Sequence, residues 1–228
     1  MAITQNPLTS GTTTTAGTSF ATASVDPGDN RYVVITVVGY RTLGAEVAIS
    51  ATGNGITYAL TEGRAEGSYS MSTFRGMNAS PSAGAITVTY TSSHTRMGWA
   101  VSEFIDTAIT GDSGADADKQ SADNYSASAN SLSVTLATNA VGSATYGAFF
   151  MDGGSVDATP GDGFTQIHEV TDGAVLHLMT QWKNATDTSV DATYNATSIA
   201  MGIALEIGAP GVSASAQGGR SMTTLGYT

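Results

Sequence analysis

Hydrophobic and polar positions alternate with the period of a β-strand along most of this chain. Residues 85–90 alternate apolar and hydroxyl side chains, which indicates a strand with one face in water. Residues 31–38 form a nearly continuous β-branched run, which is typical of a strand covered on both faces. No window has leucine, glutamate, lysine and arginine at the 3.6-residue spacing of a helix. The pattern therefore predicts an all-β protein.

One strand pattern occurs twice in the chain. Residues 97–104 begin with Met-Gly, continue with alternating apolar residues and carry one glutamate near the end, and residues 201–207 repeat this pattern. Other landmarks recur in the same order: Gly53–Thr57 with Gly161–Thr165, Phe74-Arg75 with Trp182-Lys183, and Tyr90 with Tyr194. Landmarks repeated in one order predict a duplicated β unit.

The duplication predicts how the domain is organised. We expect pseudo-repeats at residues 18–105 and 131–207, joined by a polar crossover at 106–130. A single antiparallel, jelly-roll-like β-sandwich over residues 18–208 is favoured, because a second copy of this length buries little surface alone and no proline-rich linker separates the copies. Two tandem immunoglobulin-sized domains are the alternative.

The two repeated strands differ in their alternation. Met97 and Trp99 fall on one face, and Phe104 joins them only if the first copy contains one additional residue. The second copy keeps its alternation through Glu206. This difference predicts a β-bulge at residues 102–103 and none at Glu206.

The two ends of the chain show no core-facing periodicity. Residues 1–17 are rich in threonine and residues 209–228 in serine, alanine and glycine. We predict an extended N-terminal arm and an extended C-terminal tail that become ordered against neighbouring subunits. The side chains expected to contact those subunits are Ile3, Arg220, Leu225 and Tyr227.

Charge and composition exclude several classes of partner. The net charge is −11, and the eight basic residues are scattered singly, which disfavours nucleic acid and anionic membranes. No run reaches the ~20 apolar residues of a membrane span. The start of the chain lacks the basic and apolar regions of a signal peptide, so we expect synthesis in the cytoplasm. With no cysteine and 12% charged residues, the fold must depend on packing, with neutral hydroxyl-rich outer faces.

The candidate chemical sites are sparse. Asp112, Asp116 and Asp118 offer oxygen ligands for Ca²⁺, but their spacing matches no EF-hand, and a solvated acidic loop is the simpler interpretation. Glu103 and Glu206 resemble a glycosidase pair only in being two carboxylates, and duplication explains them more simply. The three histidines are isolated along the chain. We therefore predict no cofactor, no metal and no enzymatic activity.

One pair of neighbouring side chains suggests a different kind of site. Trp182 next to Lys183 places an aromatic ring and a cation near a strand end, a combination that can bind glycans. Trp99 alternates with Met97 and is expected in the core. The alternative interpretation of Trp182 and Lys183 is an ordinary rim of the sheet.

Several of these segments together resemble a known family. The turn and strand at residues 30–38, the Gly-x-Gly-Ile/Phe-Thr turn, the aromatic–cation pair, and residues 78–90 followed by 97–104 are similar to a β-sandwich family common among tailed-phage virion proteins. The similarity covers about residues 18 to 207 and consists of turn and core signatures. Family members are described as minor structural, head-decoration or tail proteins, and the family defines no catalytic residue.

The resemblance implies a role in a phage particle. We expect a non-enzymatic virion structural protein that decorates the capsid exterior as a homo-oligomer, with a trimer favoured. Its partners would be copies of itself and the major capsid protein, or another virion subunit. The alternative function is a tail or head fibre module that binds host-surface glycans around Trp182 and Lys183.

Overall fold

The computed structural model describes residues 2–211, apart from the side chain of Asp112. This part of the chain is 62% strand and contains no α-helix. The strands are β1 (Thr4–Thr13), β2 (Gly17–Ala21), β3 (Tyr32–Tyr40), β4 (Ser50–Gly53), β5 (Ile56–Glu66), β6 (Tyr69–Gly76), β7 (Thr87–His94), β8 (Arg96–Ile105), β9 (Asp118–Thr135), β10 (Ala144–Met151), β11 (Ala158–Pro160), β12 (Thr165–Thr171), β13 (His177–Lys183) and β14 (Ser189–Ile207). A short 3-10 turn, Asp112–Gly114, precedes β9. No helix in this part of the chain is long and apolar enough to cross a membrane.

The strands form two antiparallel sheets. The first has the order β1-β8-β3-β6-β5-β4-β7-β2, and the second has the order β11-β14-β10-β13-β12 with β9 paired to β14. One of the sheets curls into a half-barrel. The prediction of an all-β antiparallel sandwich is therefore confirmed. Below, β1–β8 are called the first unit and β9–β14 the second unit.

Three hydrophobic cores hold the sheets together. One lies inside the first unit and includes Ile35 and Val88, and another lies inside the second unit and includes Phe149 and Val190. The third lies between the units, where side chains such as Phe104 from the first meet others such as Phe150 from the second. The continuous β-branched run of β3 is explained by this arrangement, because its two faces lie in different cores.

The predicted duplication has a counterpart in the strand pairing. β3, β6 and β5 follow one another in the first sheet as β10, β13 and β12 do in the second. In the first unit β8 pairs with β1, and β7 pairs with β2. In the second unit one long strand, β14, takes the place of β7 and β8, and it pairs with one long strand, β9, that takes the place of β1 and β2. β4 pairs with β7 as β11 pairs with β14. The two units therefore share one order of strands.

The units pack with an approximate twofold relation. β5 of the first unit contacts β9 of the second, and β1 contacts β12. Because β9 corresponds to β1 and β12 to β5, these two contacts are equivalent. Reciprocal contacts of this kind are characteristic of isologous interfaces in homodimers.

The additional residue of the first unit is not where the sequence predicted it. Two residues separate the inward-facing His94 from Met97, whereas one separates the equivalent Ser198 from Ala200. The β3–β8 pairing is regular throughout, so β8 carries no bulge at residues 102–103. Phe104 lies in the core between the units and does not share a face with Met97. A register shift does occur beside Glu206, caused by β9.

Two predicted boundaries also differ from the structure. Residues 4–13 do not form a free arm, because β1 is the edge strand of the first sheet and pairs with β8. Ile3, predicted to contact a partner, is fully buried between the two units. The predicted crossover at 106–130 ends at Asp118, where β9 begins and runs along the full length of β14. β9 has a polar sequence because most of its side chains are at least partly exposed.

Candidate functional site

Three ion pairs between arginine and aspartate cross the boundary between the units. Arg64 Nη1 lies 2.7 Å from Asp123 Oδ2, and Arg75 Nε lies 2.9 Å from Asp118 Oδ2. A third pair of this kind joins Arg96 Nη1 to Asp172 Oδ2 at 2.7 Å. In each pair the first unit supplies the arginine and the second supplies the aspartate. The pairs therefore fix the orientation of the units around the apolar core that they share.

The charges of the two parts of the chain are strongly asymmetric. Residues 1–105 carry six acidic and five basic residues, a net charge of −1. Residues 106–207 carry thirteen acidic and two basic residues, a net charge of −11. The asymmetry favours contact between unlike units, because two acidic second units would repel each other.

The aspartates considered as calcium ligands contact different partners and do not converge on one point. Asp118 pairs with Arg75, and burial of its carboxyl raises its pKa even though Arg75 acts to lower it. Asp116 accepts a hydrogen bond from Thr110 Oγ1 at 2.5 Å. Among the described residues, no group of three or more histidine, cysteine, aspartate and glutamate side chains is placed to hold a metal ion. Asp118 thus has a structural role in the contact between units.

The two repeated glutamates are equivalent structural anchors. Glu103 accepts hydrogen bonds from Asn6 Nδ2 at 3.0 Å and from the Gly28 N–H at 2.9 Å. Glu206 accepts equivalent bonds from Gln120 Nε2 at 2.7 Å and from the backbone N–H of the loop before β10 at 2.6 Å. Each carboxylate therefore ties the first strand of its unit to the loop that precedes the central strand. The duplication proposed for this pair accounts for their matching surroundings.

Trp182 and Lys183 do not form one surface. The Trp182 ring packs edge-on against Phe104 at a centroid distance of 6.2 Å, on the side of the sheet that faces the first unit. Lys183 points to the other side, where its Nζ lies 2.8 Å from Asp187 Oδ2 and 5.3 Å from the Phe164 ring centroid. Consecutive residues of a strand alternate in direction, so this separation follows from the strand itself.

A small open pocket lies near the end of β13. It has a volume of 380 Å³ and is lined by Ala2, Val141, Gly142, Ser143, Asn184, Ala185 and Thr186. None of these lining side chains is acidic or basic. The lining offers hydrogen-bonding groups, and the Oγ of Ser143 donates to the Glu206 carboxylate at 2.7 Å.

Two buried histidines give the fold a pH dependence. Burial lowers the pKa of His94 and of His168, whose Nε2 lies 3.0 Å from the Val101 carbonyl oxygen across the boundary between the units. The native state then binds fewer protons than the unfolded state, so stability is complete above pH ~6.5 and falls as the pH decreases below it. The raised pKa of Asp118 acts in the opposite direction, but only in the acidic range above its ordinary value of 3.8.

We therefore expect the thermal unfolding midpoint to decrease when the pH is lowered from 7.5 to 5.5. Replacing both histidines with glutamine should flatten this dependence, since glutamine does not titrate and still offers an N–H donor for the Val101 carbonyl. Differential scanning calorimetry across this range measures the effect. An equally steep dependence in the double variant would show that other groups cause it.

Polar side chains face outward on the sides of both units away from the core that they share. In the first unit, Ser19 and Ser50 flank Thr89 on neighbouring strands. In the second unit, Ser131 and Thr159 flank Thr193 in the same way. These rows are rich in hydroxyl groups, as predicted, but Asp191 opposite Ser133 shows that the outer face of the second unit is not neutral.

The sequence did not indicate the structural role of Asp172. Asp172 has a fully buried side chain that accepts bonds from three backbone N–H groups and from Arg96. The only signal was its position in an Asp-Gly turn, which predicts a turn but no distant partner. The predicted partner-binding residues Arg220, Leu225 and Tyr227 lie outside the described residues.

Comparisons with known proteins do not assign the chain to a family. No protein-family model matches it, and searches of curated proteins and of solved structures found no match.

Proposed function

We propose that this chain is a non-enzymatic structural protein of a tailed-phage virion, which decorates the outer surface of the capsid as a homo-oligomer. The resemblance of residues 18–207 to virion β-sandwich proteins is one support for this role. The partners would be copies of the same chain, with a trimer favoured, and the major capsid protein.

The observation that carries the proposal is that the buried ionisable side chains are hydrogen-bonded to other groups of the fold. Glu103 and Glu206 anchor loops, and Asp172 anchors a turn. The buried histidines each bond to a group of the same chain: His94 to Ser92, His168 to Val101 and His177 to Glu169. Groups that could perform proton transfer thus stabilise the fold, and the open pocket near β13 has none in its lining. This distribution favours a scaffold over a catalyst.

The charge distribution is compatible with the outer surface of a capsid. An acidic protein with few lysines is poorly suited to contact packaged DNA. On the exterior, the acidic second unit can remain in water while the nearly neutral first unit contacts other subunits. The alternative role in glycan binding has less support, because Trp182 and Lys183 point to opposite sides of β13.

The C-terminal segment provides the test. Deletion should begin after Gly211, because Ala209 is buried in the core shared by the units. We expect a chain ending at residue 211 to unfold at the same temperature as the full chain. We also expect its occupancy on capsids to fall tenfold or more, which corresponds to about 1.4 kcal/mol of lost contact.

The measurement uses capsids of the encoding phage that lack this protein. Full-length and shortened chains are mixed with them, and occupancy is measured by sedimentation and quantitative mass spectrometry. Absence of binding by the full-length chain would contradict the capsid role. Equal binding by the two chains would refute the role of the tail. A glycan array probed with the full chain tests the fibre alternative in parallel.

A further inference from the structure

Two in-register rows on the outer face of the first unit contain no charged residue, and a carboxylate, that of Glu46, lies beyond them, where it accepts a hydrogen bond from Thr91 Oγ1 at 2.7 Å. Ser19, Thr89 and Ser50 form one row across β2, β7 and β4. Ala21, Thr87, Thr52 and Thr57 form a second row that extends to β5. The residues between these rows, such as Phe20 and Val88, point into the core of the unit. These seven residues of the two rows are called the neutral face below.

The equivalent face of the second unit has a different character. Its rows are formed by β9, β14 and β11, and they include Asp191 opposite Ser133. This aspartate belongs to the part of the chain that carries the net charge of −11. The duplication therefore supplies a matched pair of faces with the same backbone, one neutral and one acidic.

The charge pattern determines which face can approach another copy. The core of a protein interface is depleted in charged residues, and unlike the second face, the neutral face meets this condition. Arg64, Arg75 and Arg96 are already paired with aspartates of the second unit. Their positive charges help to bring the net charge of residues 1–105 up to −1, but these charges are already neutralised within the chain and do not attract acidic surfaces of other molecules. Two acidic second units would repel each other.

An exposed apolar side chain borders the neutral face. Ile49 immediately precedes Ser50, its N–H donates to the Thr89 carbonyl at 2.8 Å, and 57% of its surface is exposed. The threonine methyl groups and Ala21 add further apolar surface among the hydroxyls. A surface that combines apolar groups with uncharged hydrogen-bonding groups can be buried at low desolvation cost.

We propose that the neutral face is the surface through which a second copy of this chain docks. The inference rests on the proposed homo-oligomer and identifies which part of the protein forms it. Thr89 lies at the centre of the upper row, so it would be covered by the second copy. Thr193, its counterpart in the second unit, would remain in water.

The test compares Thr89→Glu with the control Thr193→Glu. Both changes place one carboxylate at the centre of an outer face, so they have the same effect on net charge. Sedimentation velocity over a range of concentrations measures self-association of the full chain. We expect the dissociation constant to rise at least about tenfold for Thr89→Glu, because a carboxylate would have to be buried, and to change little for Thr193→Glu. Thr52→Glu, at an exposed position of the second row, should act like Thr89→Glu.

Several outcomes would overturn the proposal. A parent chain that stays monomeric, equal effects of the two main variants, or an effect of Thr193→Glu alone would each refute docking through the neutral face. Thermal unfolding of each variant shows whether the loss of association reflects loss of fold. If Thr89→Glu unfolds at a lower temperature than the parent chain, the self-association of Thr52→Glu tests the proposal in its place. Capsid occupancy, measured as above, separates this question from the proposed function. If the chain occupies capsids and Thr89→Glu does not weaken its self-association, docking through the neutral face is contradicted and the capsid role is not.

Discussion

Replacing Gly154 with alanine should destabilise the protein by about 3 kcal/mol or more. Gly154 lies in the turn after β10, and its backbone packs directly on the turn between β12 and β13. A Cβ at this position would lie much closer than 3.0 Å to backbone atoms of Gly173 and Ala174. Backbone atoms cannot move aside as a flexible side chain does, so the two turns would have to separate.

The separation would also break a hydrogen bond. The Gly154 N–H donates to the Ala174 carbonyl at 3.0 Å, so the two turns are held by their main chains. Urea denaturation measures the effect, and the thermal midpoint should fall by about 10 °C, given about 2–4 °C per kcal/mol in a chain of this size.

Gly17→Ala is the matched control for this prediction. The nearest atom to a Cβ at Gly17 would be 3.6 Å away, an ordinary contact distance, and its φ is not positive. We expect a change within about 0.5 kcal/mol. Gly154→Ala with the stability of the parent would mean that the two turns do not approach as closely as described.

Replacing Asp172 with alanine should cost about 3–5 kcal/mol, because it leaves three backbone N–H groups and the partly exposed Arg96 without their acceptor. Its Oδ1 accepts hydrogen bonds at 2.9 Å from the N–H groups of Ala174, Val175 and Leu176. Its Oδ2 accepts one from Arg96 at 2.7 Å. Burial acts to raise the pKa of Asp172, but these bonds more than offset it and the pKa is lowered. The folded state therefore favours the charged carboxylate.

Two further variants separate the turn from the contact between units. Asp172→Asn keeps an oxygen for the three N–H groups and loses the charge that pairs with Arg96, so it should cost less than Asp172→Ala. Arg96→Ala removes only the link to the first unit. A double-mutant cycle between Asp172→Asn and Arg96→Ala, measured by urea denaturation, gives the coupling energy of the pair. A coupling near zero would contradict the role of this pair in joining the units.

Asp172 and the histidines both lose their contribution to stability as the pH falls, but they do so in different pH ranges. Because the folded pKa of Asp172 is lowered, its contribution is present above pH ~3.9 and lost as the pH falls further. The histidine contribution is already lost at higher pH. The two groups therefore act in separate windows of an acid denaturation curve.

The sequence predicted those features that depend on local pattern. Alternation identified the strands around Val88 and Val134, and the repeated landmarks identified the duplication. Tyr90 and Tyr194, matched by sequence, do point into equivalent cores of the two units. The amide and backbone partners of Glu103 and Glu206 were not predicted, since they are distant in sequence.

The match between Met97 and Met201 failed for a geometric reason. Their Met-Gly segments align in sequence, but Met97 lies in the core of the first unit and Met201 in the core between the units. A strand has a side-chain period of two, so one additional residue upstream turns every later side chain to the other face. Sequence similarity in a duplicated strand therefore does not establish equivalent orientation.

The amino-acid sequence alone determined that the chain forms β-strands, that a unit is duplicated and that charge is concentrated in the second half. These properties depend on local alternation and on counting residues. Only the tertiary structure decided that β1 closes the first sheet, that three arginines of one unit pair with three aspartates of the other, and that one of two equivalent outer faces is neutral. Such contacts join residues far apart in the chain, and their formation depends on sheet register and on the packing of the two units, which no local pattern encodes.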